Sequence, residues 1–353
     1  MSSSEAFVTV AGRRVRISSP EKVVYPAVGV TKLELAEYCV AVAEGLMRSL
    51  AGRPMALHRF RDGVDGGSSF YTKHAPKGLP DWVQTAEVTF PSGRTGHEVC
   101  VTEPATVLWA VQMNALELHP WPVRREDTDH PDELRLDLDP QPGTGFAEAV
   151  EAATEARALL TELGMVPWVK TSGGRGLHVL VRIEPRWSFI DTRRAVIALA
   201  RELERRRPEL FTTSWWKEER GERIFADFNQ MARDRMLAAA YSTRATADAT
   251  VSMPVRWPDL PDVAPEDFTV RTVPALFAER GDAHEGIDEA PATLDALLEL
   301  ADRDVRDRGL GDLPYPPEFP KMPGEPKRVQ PSKARHDAPA PDAAEAPDAP
   351  DAG

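Results

Sequence analysis

The chain has little cysteine: two in 353 residues, Cys39 and Cys100, far apart and each inside an apolar stretch. A disulfide framework is therefore excluded, and two reduced core thiols in a reducing, cytoplasmic compartment is the reading that remains. Long hydrophobic runs are missing too. No stretch approaches the ~18 consecutive apolar residues of a membrane span. The start, "MSSSEAFVTV", has no basic region followed by an apolar one, so no secretory leader is expected. Positive charge is in deficit, with 43 Lys and Arg against 56 Asp and Glu, a formal net charge of -13. That balance weighs against nucleic acid, yet binding needs only a local basic surface. Five of the acids (Asp337, Asp342, Glu345, Asp348, Asp351) lie in a tail with no Lys or Arg after Arg335. Composition leaves the partner open.

Proline is what the chain has in plenty, 32 of them. They punctuate "LPYPPEFPKMPGEPKR" and the final "HDAPAPDAAEAPDAPDAG", compositions that cannot continue a helix or build a core. The expected organisation is a flexible N-terminus over 1–5, one folded body over 6–315, a proline-rich extended segment over 316–330 and a disordered tail over 331–353. A basic cluster, Lys327, Arg328, Lys333 and Arg335, precedes the acidic end and reads as a solvated linker.

Four segments carry apolar residues at helical spacing: 31–52, capped by Thr31 and stopped by Gly52, then 145–165, 191–207 and 292–308. Strand-like runs include "EVTF" and "EVCVT", joined by an exposed tip "PSGRTGH", and "LRLDLD", "VPWVKT", "LHVLVRI" and "RIFADF". Interspersed helices and strands predict an α+β fold with mixed or antiparallel sheets flanked by helices.

Three features carry chemistry. In "LRLDLDPQPG", Asp137 and Asp139 alternate with leucines, so a strand presents both carboxylates on one face. Hard oxygen ligands of this kind suit Mg²⁺ or Mn²⁺, and two such ions can clamp a phosphoryl transfer. An exposed strand face with its charges in water is the competing account. In "WVKTSGGRGLHVLVRI", glycines 173, 174 and 176 permit close backbone approach to an anion, with Lys170, Ser172, Arg175 and His178 gathered at one end. A plain glycine-rich hairpin would explain the turn but not those donors. In "ERIFADFNQ", Asp227 faces opposite to its apolar neighbours; alone it reads as an edge-strand residue, and beside an acidic dyad as a third metal ligand.

Taken in order, these features resemble the catalytic core of the archaeo-eukaryotic primase superfamily, and more closely the polymerase domain of bacterial ligase D, the non-homologous end-joining enzyme. The resemblance runs over roughly residues 5–320, through "SPEKVVYP", "GVTKLELAEYC", "SFYTKHAP", "LELHPW", "LDLDP", "KTSGGRGLHV", "IFADFNQ" and "AAAYSTRATADATVSMPVRW". It implies a primase-polymerase domain in which Asp137, Asp139 and Asp227 hold two divalent ions, Mn²⁺ or Mg²⁺. It further implies that Ser172, Arg175 and His178 lie against the triphosphate, Arg175 standing where the family often has lysine. His119 and Arg244 fall at positions implicated in nucleotide binding, and Gln230 falls in the same pocket region. Phe70 and Tyr71 fall where paired aromatics stack on bases; without the resemblance they read as core. Lys22 and Lys32 match the pocket for the 5′-phosphate of a gapped or broken end, though lone lysines are commonly solvated. Ser19 stands there where the family often has Asn, a departure bearing on affinity.

The implied activity is template-directed nucleotidyl transfer at DNA gaps and broken ends, with a preference for ribonucleotides. The implied partners are DNA, nucleoside triphosphates, the Ku end-binding protein and a separate ligase, because no K-x-D-G motif supplies a covalent ligase lysine. A stand-alone polymerase module at the nucleoid is the expectation. Two other classes remain: a catalytically idle module that bridges DNA ends, and a sugar-nucleotide transferase, which D-x-D alone would support but which leaves Asp227 and the lysines unexplained.

Overall fold

A computed structural model describes residues 4–317 and 319–322. A six-stranded sheet lies at the centre, in the spatial order Phe211–Thr212, Ile224–Asp227, Glu133–Pro140, Leu177–Arg182, Pro167–Thr171 and Pro254–Val255. Every pairing in it is antiparallel except the first, which is parallel. In the strand Glu133–Pro140 the alternation works as the sequence implied: Leu134, Leu136 and Leu138 are buried on one side. Against this sheet packs the helix Phe146–Glu162, whose Ala149, Ala152, Ala153, Ala156, Leu159 and Leu160 form a buried stripe at helical spacing. Small alanines let helix and sheet approach closely, and the longer helix Phe189–Arg206 covers the neighbouring strands.

A second sheet of five strands has the order Ser69–Thr72, Pro54–Phe60, Thr95–Cys100, Gln84–Thr89, with Ala115–Pro120 also paired to Pro54–Phe60. All its pairings are antiparallel. The mixed α+β class read from the sequence is the class observed. Both cysteines are free and buried, and among the described residues no helix is long and apolar enough to cross a membrane.

Several boundaries differ from the sequence reading. The segment 31–52 is two helices, Lys32–Ala41 and Ala43–Leu50, broken where Val42 leaves helical backbone at φ -110° and ψ 20°. Its start is as expected: Thr31 and Glu34 form a capping box. The helix Pro104–Gln112 was not anticipated, because its residues from Ala105 to Val111 are all buried and leave no polar face to mark a period. The hairpin is longer than its motif suggested, pairing Thr89 with Thr95, so the tip shrinks to residues 90–94. The first strand begins at Glu5, inside the stretch expected to be flexible, and pairs with Ser18. The expected disordered tail over 331–353, the cluster Lys327, Arg328, Lys333 and Arg335, and most of the segment 316–330 lie outside the described residues.

Candidate active site

The register of the central sheet aligns one row of side chains across four strands. Lys170, His178, Asp137 and Asp227 are successive Cα partners. Directly opposed residues share a face, and Asp139, two residues beyond Asp137, shares it too. All three predicted carboxylates therefore stand on one side of the sheet. Asp139 is exposed, whereas Asp137 and Asp227 are half-buried.

Their protein partners are few. Gln230 Nε2 donates to Asp137 Oδ2 at 3.4 Å and to Asp227 Oδ2 at 3.2 Å. The Asn229 backbone N–H donates to Asp227 Oδ1 at 2.8 Å, and Gln141 Nε2 to Asp139 Oδ2 at 3.2 Å. His178 Nε2 stands 3.5 Å from Asp137 Oδ1. Burial, reinforced by the charges of Asp227 and Asp139, pushes the Asp137 carboxyl well above the ordinary aspartate range. Burial raises Asp227 as well. The site holds more negative charge than its protein donors neutralise.

Lys170, one of the donors read at this end of the loop, is the buried end of the row. Its Nζ lies 2.6 Å from His178 Nδ1 and 2.5 Å from Ser252 Oγ. Burial pulls Lys170 well below the usual lysine range. The tautomer that suits the His178 contacts accepts from Lys170 at Nδ1 and carries its proton on Nε2, facing Asp137. Burial, followed by the Lys170 charge, pulls His178 well below the usual histidine range, so it is neutral.

The S-G-G-R-G loop connects the strands Pro167–Thr171 and Leu177–Arg182. Ser172 Oγ accepts from the N–H groups of Gly174 at 3.1 Å and Gly176 at 3.2 Å, so two donors expected to face an anion turn inward. Gly176 is required where it is: a Cβ there would lie 2.4 Å from the Leu138 carbonyl oxygen of the adjoining strand. Arg175 reaches the Pro140 carbonyl at 3.4 Å. Arg244 Nη1 donates to the Ser172 carbonyl at 2.8 Å, and Gly173 turns beside it at φ +74°.

Glu117 and His58 escaped the sequence reading. Glu117 Oε2 lies 2.8 Å from His58 Nδ1 and 3.0 Å from His119 Nε2. Its Oε1 accepts from Arg244 Nε at 3.0 Å and from the Ala245 N–H at 2.8 Å. Burial alone would raise this carboxyl, but the two histidines and Arg244 outweigh it and hold Glu117 well below the usual range. The ligand atoms of His58, Glu117 and His119 lie within 4.8 Å of one another and could hold a metal ion. Glu117 had a legible signal, since it lies two residues before His119 on a strand and so shares its face. His58 had none, because only strand pairing brings it opposite Glu117.

These groups open onto a cavity of about 390 Å³ whose lining includes His119, Asp137, Asp139, Arg175, His178 and Arg244. A second cavity of about 560 Å³ reaches Asp227 from another side, past Trp215, Trp216, Arg220 and Arg235. Gln230 lines both.

Phe70 and Tyr71 are exposed, 41% and 50%, and not core. Consecutive strand residues point to opposite faces, and the pair divides accordingly. Tyr71 stacks on His58 with ring centroids 4.2 Å apart and meets His119 edge-on at 5.4 Å. Phe70 lies under the Arg59 guanidinium, 5.2 Å from the ring centroid. Ser19, Lys22 and Lys32 come together through backbone bonds, Lys22 N–H to the Ser19 carbonyl at 3.0 Å and Lys32 N–H to the Lys22 carbonyl at 2.8 Å. Lys32 is buried, its Nζ donating to the Gln112 carbonyl at 2.8 Å. Burial, then the charge of Lys22, lowers it to about 8. The Lys22 Nζ donates to the Arg61 carbonyl.

Ser19 occupies left-handed backbone at φ +49°, a region Asn tolerates better than Ser. Ser19→Asn is therefore expected to stabilise the protein by about 0.5–1 kcal/mol, read by urea denaturation; an unchanged or lower midpoint would refute the assignment of strain.

Residues 31–284 match the family model for the LigD primase-polymerase domain. The multifunctional non-homologous end joining protein LigD of Mycolicibacterium smegmatis is 33% identical over 319 residues, covering 87% of this chain and 40% of that protein. Its Pseudomonas aeruginosa counterpart is 34% identical over 269 residues, covering 75% of this chain and 31% of that one. The chain thus spans well under half the length of these relatives. The polymerase domain of Mycobacterium tuberculosis ligase D, solved in complex with DNA, superposes with a TM-score of 0.73 at 30% identity, covering 79% of this chain and 99% of that one. A family match over most of the chain, carried through the strands that bear the carboxylates and the glycine-rich loop, makes this protein a member of the LigD primase-polymerase domain family.

Proposed function

We propose that this protein is a polymerase acting in DNA double-strand break repair by end joining, filling gaps and extending ends by template-directed nucleotidyl transfer with a preference for ribonucleotides. The observation that carries the reading is the row Asp137, Asp227 and His178, flanked by Asp139, with its negative charge under-neutralised. A hard-oxygen, acid-rich donor set of this kind fits divalent cations. Asp137, Asp139 and Asp227 would hold two of them, Mn²⁺ or Mg²⁺. Bound there, the ions would supply an activated primer 3′-hydroxyl and neutralise charge on the departing pyrophosphate.

The chain's own residues do the rest. Neutral His178, held by Lys170, presents an Nε2–H donor beside the dyad. Arg175 and Arg244 bring fixed positive charge to the phosphate side of the cavity, where a preorganised donor stabilises developing charge without reorganising. Ser172 holds the loop in shape, and its hydroxyl proton remains to be donated. His119 and Gln230 line the nucleotide cavity. Tyr71, with Phe70 on the opposite face, offers an aromatic surface that any base can stack on. Lys22, Lys32 and Ser19 form the 5′-phosphate pocket; lowering of the Lys32 ammonium by burial favours an anionic partner that restores its charge.

The curated relatives are named as end-joining proteins, which supports gapped or broken DNA as substrate; the reading adds Ku and a separate ligase as partners and the cytoplasm, at the nucleoid, as the place. The test is extension of a recessed, labelled primer on gapped DNA carrying a 5′-phosphate, with Mn²⁺ and each nucleotide. Extension by the wild type, stronger with ribonucleotides and lost in Asp227→Ala while DNA binding persists, is the expected result. No extension with any nucleotide would instead leave an idle end-bridging module.

A further inference from the structure

We infer that Glu117, acting with His58, is a positioning residue that couples an exposed aromatic ring, Tyr71, to the guanidinium that grips the glycine-rich loop, Arg244. The inference rests on the reading of this cavity as the nucleotide site.

Glu117 is buried, and all four of its acceptor positions are taken: two by the imidazoles of His58 and His119, two by Arg244 Nε and the Ala245 N–H. While those four bonds stand no acceptor position is left for a nucleotide, and a metal ion held by His58, Glu117 and His119 would have to displace the imidazole bonds. A carboxylate buried at this expense serves by holding its neighbours, because each of them would lose its partner if it were removed.

Its two oxygens hold two different groups, Oε2 the imidazoles of His58 and His119 and Oε1 the Arg244 guanidinium, which with Ser172 lines the cavity. On one side, the His58 ring is fixed at both nitrogens, by Glu117 at 2.8 Å and by Ser69 Oγ at 3.0 Å. That fixed ring lies nearly parallel to Tyr71, at an interplanar angle of 8°, and backs only one face of it. Tyr71 remains half exposed, free to take a base on its other face. On the other side, Arg244 is bonded at once to Glu117 and to the Ser172 carbonyl, the first residue of the loop. An unbroken series of contacts thus runs Tyr71, His58, Glu117, Arg244, Ser172, with a single carboxylate at its centre. Glutamine is nearly the same shape, but its amide nitrogen would present donors to donors on one side, so one arm of the series must let go.

The test is a double-mutant cycle. Equilibrium binding of labelled ATP, opposite a templating thymine on gapped DNA with Mn²⁺, is measured for Tyr71→Ala, Arg244→Ala and the pair. The cycle is then repeated in a Glu117→Gln background. With Glu117 present, the double variant should depart from the product of the single effects by about 5- to 30-fold, inside the range for residues linked through one network. In Glu117→Gln the effects should multiply independently. Steady-state kinetics of Glu117→Gln should show KM for the nucleotide raised about 10-fold with kcat changed less than about threefold, a split that general loss of folded protein would not give.

Should Glu117→Gln fail to fold in a thermal melt, His58→Phe replaces it. Phenylalanine keeps the stack on Tyr71 and removes the bond to Glu117, and combined with His119→Phe it also cuts the edge contact that runs from Tyr71 through His119 to Glu117, so in the pair coupling should vanish while the Tyr71→Ala effect persists. Independent effects in the Glu117 protein, or coupling that survives both substitutions, overturn the inference while the polymerase reading stands. A wild type that binds no nucleotide and extends no primer overturns both.

Discussion

Asp137→Asn is expected to raise the melting temperature of the metal-free protein and to abolish primer extension. The two effects have one cause. Asp137 is pressed between Asp227 across the sheet and Asp139 along the strand, with Gln230 and His178 as its neighbouring neutral donors, and burial with the two carboxylates outweighs the charges of Lys170 and Arg244. Removing its charge relieves that repulsion, and relief of such built-in strain is commonly worth roughly 0.5–2 kcal/mol. For a chain of this size that is about 2–4 °C per kcal/mol. The same substitution deletes a hard anionic ligand, and metal-assisted charge stabilisation is worth several kcal/mol, or about a 10³-fold loss of rate.

The pH dependence follows from the direction of the shifts. A carboxyl raised in the folded state contributes stability that is fully present below its unfolded value, 3.8 for aspartate. That contribution is lost as pH rises through the elevated folded value. The stability advantage of Asp137→Asn should therefore widen from acid toward neutral pH in scanning calorimetry. A variant less stable than wild type at neutral pH, without metal, would mean that the carboxylate is compensated.

Adding Mn²⁺ is expected to reverse this balance in the wild type. An ion that binds only the folded protein stabilises it by mass action, by about 2.7 kcal/mol when free ion is a hundredfold above its Kd. Because protons and cations compete for the same raised carboxyls, the increase in melting temperature should be larger near pH 8 than near pH 6. Asp137→Asn should lose most of the increase at both. An equal increase in the variant would direct attention to His58, Glu117 and His119, the other group able to hold an ion. Histidine ligands there would make Zn²⁺ a stronger stabiliser than Mn²⁺.

Much of the carboxylate site was legible because a strand has a period of two. Alternation in "LRLDLD" placed Asp137 and Asp139 on one face, and the apolar neighbours of Asp227 did the same for it. Glycine spacing marked the loop, and the helical periods marked four helices, missing the break at Val42 and the uniformly buried Pro104–Gln112. Exposure was harder to judge. Phe70 and Tyr71 read as core on their own and are surface residues, while Lys32 read on its own as a solvated charge and is buried.

What the sequence determined by itself is therefore local: which way each side chain leaves its strand, where helices start, and which ordered motifs place the chain in its family. Only the tertiary structure decided who meets whom. Register across the sheet set Asp137 between Asp227 and His178 and slid Lys170 in behind them. Pairing of Pro54–Phe60 with Ala115–Pro120 brought His58 to Glu117, and Arg244 reached them from more than a hundred residues away. Faces follow from a dihedral period of neighbouring residues. Partners follow from hydrogen-bond register between segments remote in sequence, fixed by how the whole core packs.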